Sequence, residues 1–292
     1  MKQDYYRQRN QQLVFLGHFL QRGFNAVSKI LDTGRFHASN FDITEVKLPI
    51  PNLPPTFDGY RIALISDIHM GTWMNPTRLR GVVALVNETQ PNLIVNTGDF
   101  VSYTEPGALP VSIPILAELS APDGVLAVMG NHDHWVNPRW VQSLVSDTGA
   151  DVLVNRTVTI QRGADAVCVA GVDCPGAGQD DLTAVMAQIP AEAPAILLAH
   201  EPDYAEIAAE TGFFAAQFSG HTHGGQIVKG DGRAPILPRM GKKFVSGAYR
   251  VYGMFLYVNR GVGTSAFRLR WNCPPEITVF TLRCKNDYAA SA

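Results

Sequence analysis

The chain has 292 residues, of which 46% are hydrophobic and 17% are charged, and its formal net charge is −2. This length and composition suit one globular domain with an appendage, and they exclude a fibrous or disorder-dominated protein. The lack of a basic excess argues against a nucleic-acid partner, because a surface that follows phosphates normally carries many more cations than anions.

Residues 1–45 are predicted to form an N-terminal amphipathic helical appendage. Apolar residues recur at helical spacing between positions 13 and 31, and polar or basic residues occupy the opposite face. Arg22 and Lys29 interrupt the apolar run, so this helix is not a membrane span, which needs about 20 nearly uninterrupted apolar residues. Residues 13–31 could contact a membrane peripherally, pack on their own domain or contact a second subunit, and a transit peptide is a further alternative. The oligomeric state stays open.

The main domain is predicted at residues 60–284, after a proline-rich, extended lead-in at 46–59 and before a tail at 285–292. Strand patterns cover residues 62–65, 93–95, 125–129, 152–154, 166–170, 195–199 and 213–218, and helix patterns cover 76–88, 138–145, 180–188 and 203–210. This alternation predicts a layered α/β domain with buried sheets. A later strand-rich region, at 254–259 and 277–282, suggests a second sheet packed on the first.

Polar motifs follow the predicted strands at five places. They are Asp67-Ile68-His69, Gly98-Asp99, Gly130-Asn131-His132-Asp133, His200 and Gly220-His221-Thr222-His223. Loops at the carboxyl ends of strands can converge on one crevice. Asp67 and His69, as alternate residues of an extended segment, are expected to project to one side, and so are His221 and His223. Asp99 is the best candidate to bridge two ions, because a carboxylate has two oxygens.

A lone Asp-x-His or Gly-Asp would ordinarily be a turn or a solvated surface group. All five motifs in this order are far less frequent by chance, so they favour a two-metal hydrolytic site. The mixed nitrogen and oxygen ligands suit Mn, Fe or Zn better than Mg or Ca. Two such ions can generate a bridging hydroxide and hold phosphoryl oxygens. His134 is interpreted as a bystander, and His18 and His37 as solvated.

These motifs resemble those of the calcineurin-like metallophosphoesterase superfamily, which read D-x-H, G-D, G-N-H-D/E, a separate H, and G-H-x-H. The resemblance covers roughly residues 60–282 and implies a four-layer α/β/β/α sandwich. It implies that Asp67, His69 and His223 bind one ion, that Asn131, His200 and His221 bind the other, and that Asp99 bridges them. It also implies that His132 is the catalytic histidine and Asp133 its orienting carboxylate. One departure is Ser102, where many members read G-D-x-x-D; we therefore expect the contacts that support the Asp99 loop to differ from those of such members.

Longer sequence segments are similar to those of a bacterial branch of this superfamily, whose members are often tethered to membranes. These segments are residues 64–69, His200-Glu201-Pro202-Asp203, residues 219–227 and Pro275-Glu276-Ile277. That branch includes phosphodiesterases and UDP-2,3-diacylglucosamine pyrophosphatases of lipid A synthesis. The resemblance implies a dimetal hydrolase of a phosphodiester or pyrophosphate bond in a small molecule or a lipid, with the pyrophosphatase of lipid A synthesis as the narrower alternative.

Two other functions are known alternatives for a site of this kind. A non-catalytic, protein-binding scaffold of this fold would be expected to lose catalytic residues, whereas His132 and all seven ligands are present. A phosphoprotein phosphatase would need basic phosphate anchors, for which Arg260 and Arg268 are the few candidates. Trp73 and Trp135 could form an aromatic wall for a base or acyl chain, or could simply pack.

The location is predicted from the cysteines and the appendage. Cys168, Cys174, Cys273 and Cys284 contain no CxxC pair, which favours free thiols in a reducing compartment over a disulfide framework. A cytoplasmic protein is therefore expected, with peripheral contact to the inner face of the membrane as an option.

Overall fold

The computed structural model describes residues 34–284, so the predicted helix at 13–31 and the tail at 285–292 lie outside the described residues. The strands are β1 (Asp42–Ile50), β2 (Arg61–Ile65), β3 (Leu93–Asn96), β4 (Val125–Ala127), β5 (Asp151–Val152), β6 (Arg156–Arg162), β7 (Asp165–Gly171), β8 (Ala195–Leu198), β9 (Phe214–Ser219), β10 (Gly247–Val251), β11 (Met254–Val258) and β12 (Glu276–Cys284). The α-helices are α1 (Pro76–Glu88), α2 (Leu109–Leu116), α3 (Asn131–Val136), α4 (Pro138–Ser146), α5 (Leu182–Met186) and α6 (Ala205–Glu210). Within 34–284, none of these helices has the length and apolar character that a bilayer crossing requires.

The strands form two six-stranded sheets. The first has the order β1-β12-β2-β3-β4-β5, and the second has the order β10-β11-β9-β8-β7-β6. Strands β2 to β5 are mutually parallel, and so are β7, β8, β9 and β11. Parallel neighbours need crossover connections, which helices supply between several of them. The carboxyl ends of the parallel strands consequently lie along one edge of each sheet.

The two sheets pack face to face, with helices on their outer faces. In β2, Ala63 and Ile65 pack against α1, α2 and α4. Ile62 and Leu64 instead face the second sheet, as the two-residue period of a strand dictates. Between the sheets, Phe218 stacks on Phe280 with their ring centroids 4.1 Å apart. Helices α5 and α6 cover the other side of the second sheet. The predicted four-layer α/β/β/α sandwich is therefore confirmed.

Two segments lie elsewhere than the sequence suggested. Strand β11 belongs to the second sheet, but β12 lies in the first, parallel to β1 and antiparallel to β2, so the late strands do not form one sheet. Strand β1 begins at Asp42, so the first sheet includes residues that we divided between the appendage and the lead-in. Pro49 is tolerated there because β1 is the outermost strand.

The residues at the helix N-termini explain why α1 and α4 could be predicted from the sequence. At the start of α1 the side chain of Asn75 accepts a hydrogen bond from the backbone of Arg78, and Asn137 caps α4 in the same way. In both helices the next residue is proline, which suits the first helical position. Helix α2 was missed because it carries Pro114 in its interior, where proline normally breaks a helix.

Candidate metal centre

Five loops bring the predicted motifs to one edge of the two sheets. The loops after β2, β3 and β4 carry the motifs at residues 67–69, 98–99 and 130–133, and those after β8 and β9 carry His200 and the motif at 220–223. The carboxyl edges of both sheets therefore meet at one crevice, as predicted for parallel strands. The side chains of all seven predicted ligands and of His132 lie together there.

The backbone of these loops is unusual. Asp67, His69, Asp99, His221 and His223 all have φ between 47° and 73°. This left-handed conformation costs a non-glycine residue on the order of 1–3 kcal/mol and persists where the surroundings impose it. The prediction that residues 67–69 and 221–223 are extended is therefore wrong. Asp67 and His69 still come together, but His221 and His223 belong to different groups of candidate ligands.

The first group consists of Asp67, His69 and His223, all of which are buried. Nε2 of His223 lies 3.0 Å from Nε2 of His69 and 3.3 Å from Oδ1 of Asp67. Burial lowers the pKa of both imidazoles, and for His223 the nearby Arg270 cation adds to this effect. Both rings are therefore neutral, which is the form that ligates metals.

The second group contains Asn131, His200 and His221. Nε2 of His200 lies 3.2 Å from Oδ1 of Asn131 and 3.1 Å from Nδ1 of His221. The other nitrogen of each ring faces a backbone carbonyl at 2.7 Å, that of Thr97 for His200 and that of Arg239 for His221. A hydrogen bond to a carbonyl fixes the imidazole tautomer and leaves the opposite nitrogen free for a metal.

Asp99 lies between the two groups. Its Oδ2 is 3.4 Å from Nε2 of His69 and 3.3 Å from Nε2 of His200, and its Oδ1 accepts a 2.9 Å hydrogen bond from the backbone N–H of His132. Burial would raise the pKa of Asp99, but its electrostatic interaction and hydrogen bond with His200 outweigh this effect and hold the pKa well below its usual range. An ionised carboxylate within reach of both groups suits a bridging position.

Two motif glycines allow the acidic ligands to approach closely. A Cβ atom on Gly130 would overlap the carboxylate of Asp99, and one on Gly220 would overlap the carboxylate of Asp67. Any other residue at either position would displace an acidic ligand. The glycines of both motifs are thus explained by the space that the two carboxylates occupy.

Asp133 has different contacts from those that the resemblance implied. Its carboxylate accepts hydrogen bonds of 2.9 Å to 3.2 Å from the backbone N–H groups of residues 99–101 and of Gly130. No hydrogen bond joins it to His132 within residues 34–284, because consecutive side chains leave a helix about 100° apart. Burial and the neighbouring Asp99 raise the pKa of Asp133 to about 7, although the backbone donors oppose this. Asp133 therefore holds the Asp99 loop and does not orient the His132 ring.

His132 lies beside the first group of ligands. The centroid of its ring is 4.6 Å from that of His69 and 4.5 Å from that of Trp135. Its Nδ1 is buried and has no hydrogen-bond partner among residues 34–284. Burial lowers the pKa of His132, so the ring is neutral and carries one N–H that is available as a donor.

The two candidate wall tryptophans have different environments. Trp135 is 63% exposed and lines the cavity beside the ligands. Trp73 packs near Phe41, and the guanidinium of Arg78 lies 4.3 Å from the centroid of the indole ring. Trp135 is therefore the wall residue, and Trp73 is a packing residue.

Ser102, His134 and Arg260, for which the sequence analysis considered a role in the site, lie outside the two groups of candidate ligands. Ser102 forms a 2.9 Å hydrogen bond with Thr104, His134 pairs with Asp173 at 2.7 Å, and the Arg260 guanidinium pairs with Glu276 at 3.1 Å. The supporting contact of Ser102 is thus to another hydroxyl, and His134 is a bystander to the metal groups. Because Arg260 already has a carboxylate partner, it is a poor phosphate anchor.

A cavity of about 240 Å³ opens beside the ligands and was not foreseen. Asp99, His132 and both histidines of the 220–223 motif line it, and the rest of its wall is mainly apolar, with Trp135, Ile227, Ile236, Leu237 and Phe267. Much of this wall belongs to the loop at 228–245, whose Arg239 carbonyl also holds His221. The apolar wall lies near the candidate ligands because of the path of this loop. No local sequence pattern predicts that path.

Comparisons with known proteins agree with the geometry. Residues 60–225 match the sequence model of the calcineurin-like phosphoesterases. The metallophosphoesterase YkuE of Bacillus subtilis is 35% identical over 254 residues, which cover 84% of this chain and 86% of that protein. The phosphodiesterase YaeI of Escherichia coli is 28% identical over 233 residues, or 76% of this chain and 82% of that protein. A transmembrane protein with a metallophosphoesterase domain from Danio rerio is 30% identical over 256 residues, which are 82% of this chain but 57% of that protein.

Proposed function

Because the chain belongs to the calcineurin-like phosphoesterase family and is a metal-dependent phosphoester hydrolase, we propose that it hydrolyses a phosphodiester or pyrophosphate bond at a centre for two divalent ions. The position of the Asp99 carboxylate between His69 and His200 carries this proposal. In it, Asp67, His69 and His223 hold one ion, Asn131, His200 and His221 hold the other, and Asp99 contributes to both. These nitrogen and oxygen donors fit Mn, Fe or Zn.

The residues of the site have separate roles in the proposed reaction. When bound, two such ions lower the pKa of a water molecule and neutralise phosphoryl charge. His132 lines the same cavity, and in this proposal its neutral imidazole donates a hydrogen bond to a phosphoryl or leaving oxygen. Asp99 orients the backbone of His132, and Asp133 holds the Asp99 loop through backbone N–H groups.

Metal replacement with two model substrates tests the proposal. Metal-stripped protein reloaded in turn with Mn²⁺, Fe²⁺, Zn²⁺ and Mg²⁺ is assayed with bis-p-nitrophenyl phosphate and p-nitrophenyl phosphate. Turnover should return with a transition metal and should favour the diester. Binding of two ions without turnover of either substrate would favour a protein-binding scaffold, and a preference for the monoester would argue against a diesterase.

The apolar wall supports a lipid-linked substrate, in a protein bound peripherally to the inner face of a membrane. Residues 228–243 contain five basic residues and one acidic residue. In the same segment Ile236 is 69% exposed and lines the cavity. Cations next to exposed apolar side chains suit the surface of an anionic bilayer. A UDP-2,3-diacylglucosamine pyrophosphatase is the narrower form of this proposal.

We expect Ile236→Asp to lower the ratio of kcat/KM for a dioctanoyl phosphodiester to that for a dimethyl phosphodiester about tenfold. Burying an aliphatic side chain against an acyl chain is worth roughly 1.5–3 kcal/mol, and the exposed position of Ile236 reduces this gain. Tyr252→Asp, at a side chain that is 72% exposed and does not line the cavity, is the matched control. An unchanged ratio in Ile236→Asp would remove the support for an acyl site.

A further inference from the structure

Arg270 is a partly buried cation whose guanidinium is surrounded by backbone oxygens. Its Nη2 donates to the carbonyl oxygens of Arg260, Gly263 and Gly261 at 2.6, 2.7 and 3.0 Å. Its Nε donates to Gly263 at 2.9 Å, and its Nη1 donates to the carbonyls of His223 and Cys273 at 3.3 Å. No carboxylate within residues 34–284 forms an ion pair with it. The side chain therefore connects segment 260–263 to His223.

Segment 260–263 lies directly on the loop that carries Asp67. The backbone N–H of Gly263 donates to the carbonyl of Asp67 at 2.9 Å, and that of Val262 donates to Ser66 at 2.9 Å. A Cβ atom on Gly261 would lie 2.7 Å from the Cβ of Asp67, so the two backbones are in contact. Arg270 thus contacts both the support of Asp67 and the main chain of His223.

We propose that Arg270 is a positioning residue for the first ligand group, which fixes the separation between Asp67 and His223 that binding of the first ion requires. The proposal rests on the assignment of these residues to an ion under the proposed function. Arginine presents five N–H donors in a rigid, planar fork, and lysine cannot reproduce this arrangement. The second group is supported instead by the carbonyls of Thr97 and Arg239, so the effect of Arg270 is selective.

In this proposal Arg270 positions His223 and Asp67 through their main-chain atoms and those of segment 260–263. Nη2 of Arg270 also lies 3.3 Å from Nδ1 of His223. An imidazole that binds a metal through Nε2 carries its hydrogen on Nδ1, so this contact would not persist as a hydrogen bond in the metal complex. The bonds to the carbonyls of residues 223, 260, 261 and 263 are independent of the ring and remain.

The test is the Mn²⁺ stoichiometry of full-length Arg270→Lys, measured by calorimetry and by electron paramagnetic resonance. Wild type should bind two ions that give a spin-coupled signal. Arg270→Lys should bind one of them at least tenfold more weakly, in the range seen when supporting contacts of metal ligands are lost. At limiting metal it should show the six-line spectrum of isolated Mn²⁺. His223→Ala should give the same selective loss.

Arg250→Lys is the matched control, because the Arg250 side chain donates to the carbonyl of Gly253 in a turn distant in sequence from every ligand motif. Two ions bound with wild-type affinity in Arg270→Lys, or an equal loss of both ions, would overturn the proposal. If Arg270→Lys and Arg270→Gln both fail to fold while Arg250→Lys folds, Arg270 supports the whole domain and the proposal is also overturned. A wild-type protein that binds no second ion would instead contradict the proposed function.

Discussion

The substitution Asp99→Asn should lower phosphodiester turnover by about 10³-fold or more. The amide keeps the size of the side chain and an oxygen that can accept from the N–H of His132, but it removes the negative charge that faces both His69 and His200. A charge shared by two ions contributes several kcal/mol, and about 4 kcal/mol corresponds to a factor of about 10³. Metal content should fall below two ions per chain.

The measurement for Asp99→Asn is kcat for bis-p-nitrophenyl phosphate at saturating Mn²⁺, together with metal content after dialysis. Asp165→Asn is a suitable control, because Asp165 is the first residue of β7, at the end of the strand opposite the ligand loops. The control should keep two ions and near-normal turnover. If Asp99→Asn kept two ions and turned over within tenfold of wild type, a bridging role for Asp99 would be wrong.

For His132→Ala we expect kcat to fall by about 10² to 10⁴ while two ions remain bound. This is the usual contribution of a side chain that transfers or shares a proton with the reacting group. His132 lines the cavity, and its buried Nδ1 has no hydrogen-bond partner in the described part of the chain, whereas the candidate ligands keep their own contacts without it. The loss should therefore appear in kcat and not in metal content.

His134→Ala is the control for His132→Ala, since His134 is two residues away and pairs with Asp173. Turnover of His132→Ala within a few-fold of wild type would remove its catalytic role. Loss of an ion would have a different meaning. His132, His69 and Asp99 also place nitrogen and oxygen atoms close enough to hold a metal together, so that result would make His132 a ligand.

The sequence predicted well those features that depend on residues close together in the chain, such as helix caps and apolar runs. Helix α1 has the predicted bounds, because an asparagine cap and a first-turn proline mark its start. The strands that precede the ligands were recognisable because parallel strands covered on both faces read as short apolar runs. The candidate ligands could be recognised because each motif directly follows such a run. Resemblance then supplied the arrangement of layers.

What the sequence did not reveal depends on contacts between distant residues or on the backbone. The left-handed conformations of Asp67 and His223 follow from the loops packed around them, so the simple alternation rule failed there. Asp133 follows His132 in sequence, yet its carboxylate is directed to backbone N–H groups. Arg270 is missed because its partners are carbonyl oxygens, and every residue has one.

The position of β12 between β1 and β2 affects how the protein folds. Residues 276–284 pair with β1 and β2, which precede them by more than 200 positions. Contacts of such long range form slowly, and during synthesis β2 has one open edge until β12 arrives, which leaves it exposed to pairing with other chains. Segment 260–263, which supports Asp67, is made only shortly before β12. The first group of candidate ligands therefore gains its full backbone support only after nearly all of the described chain has been made.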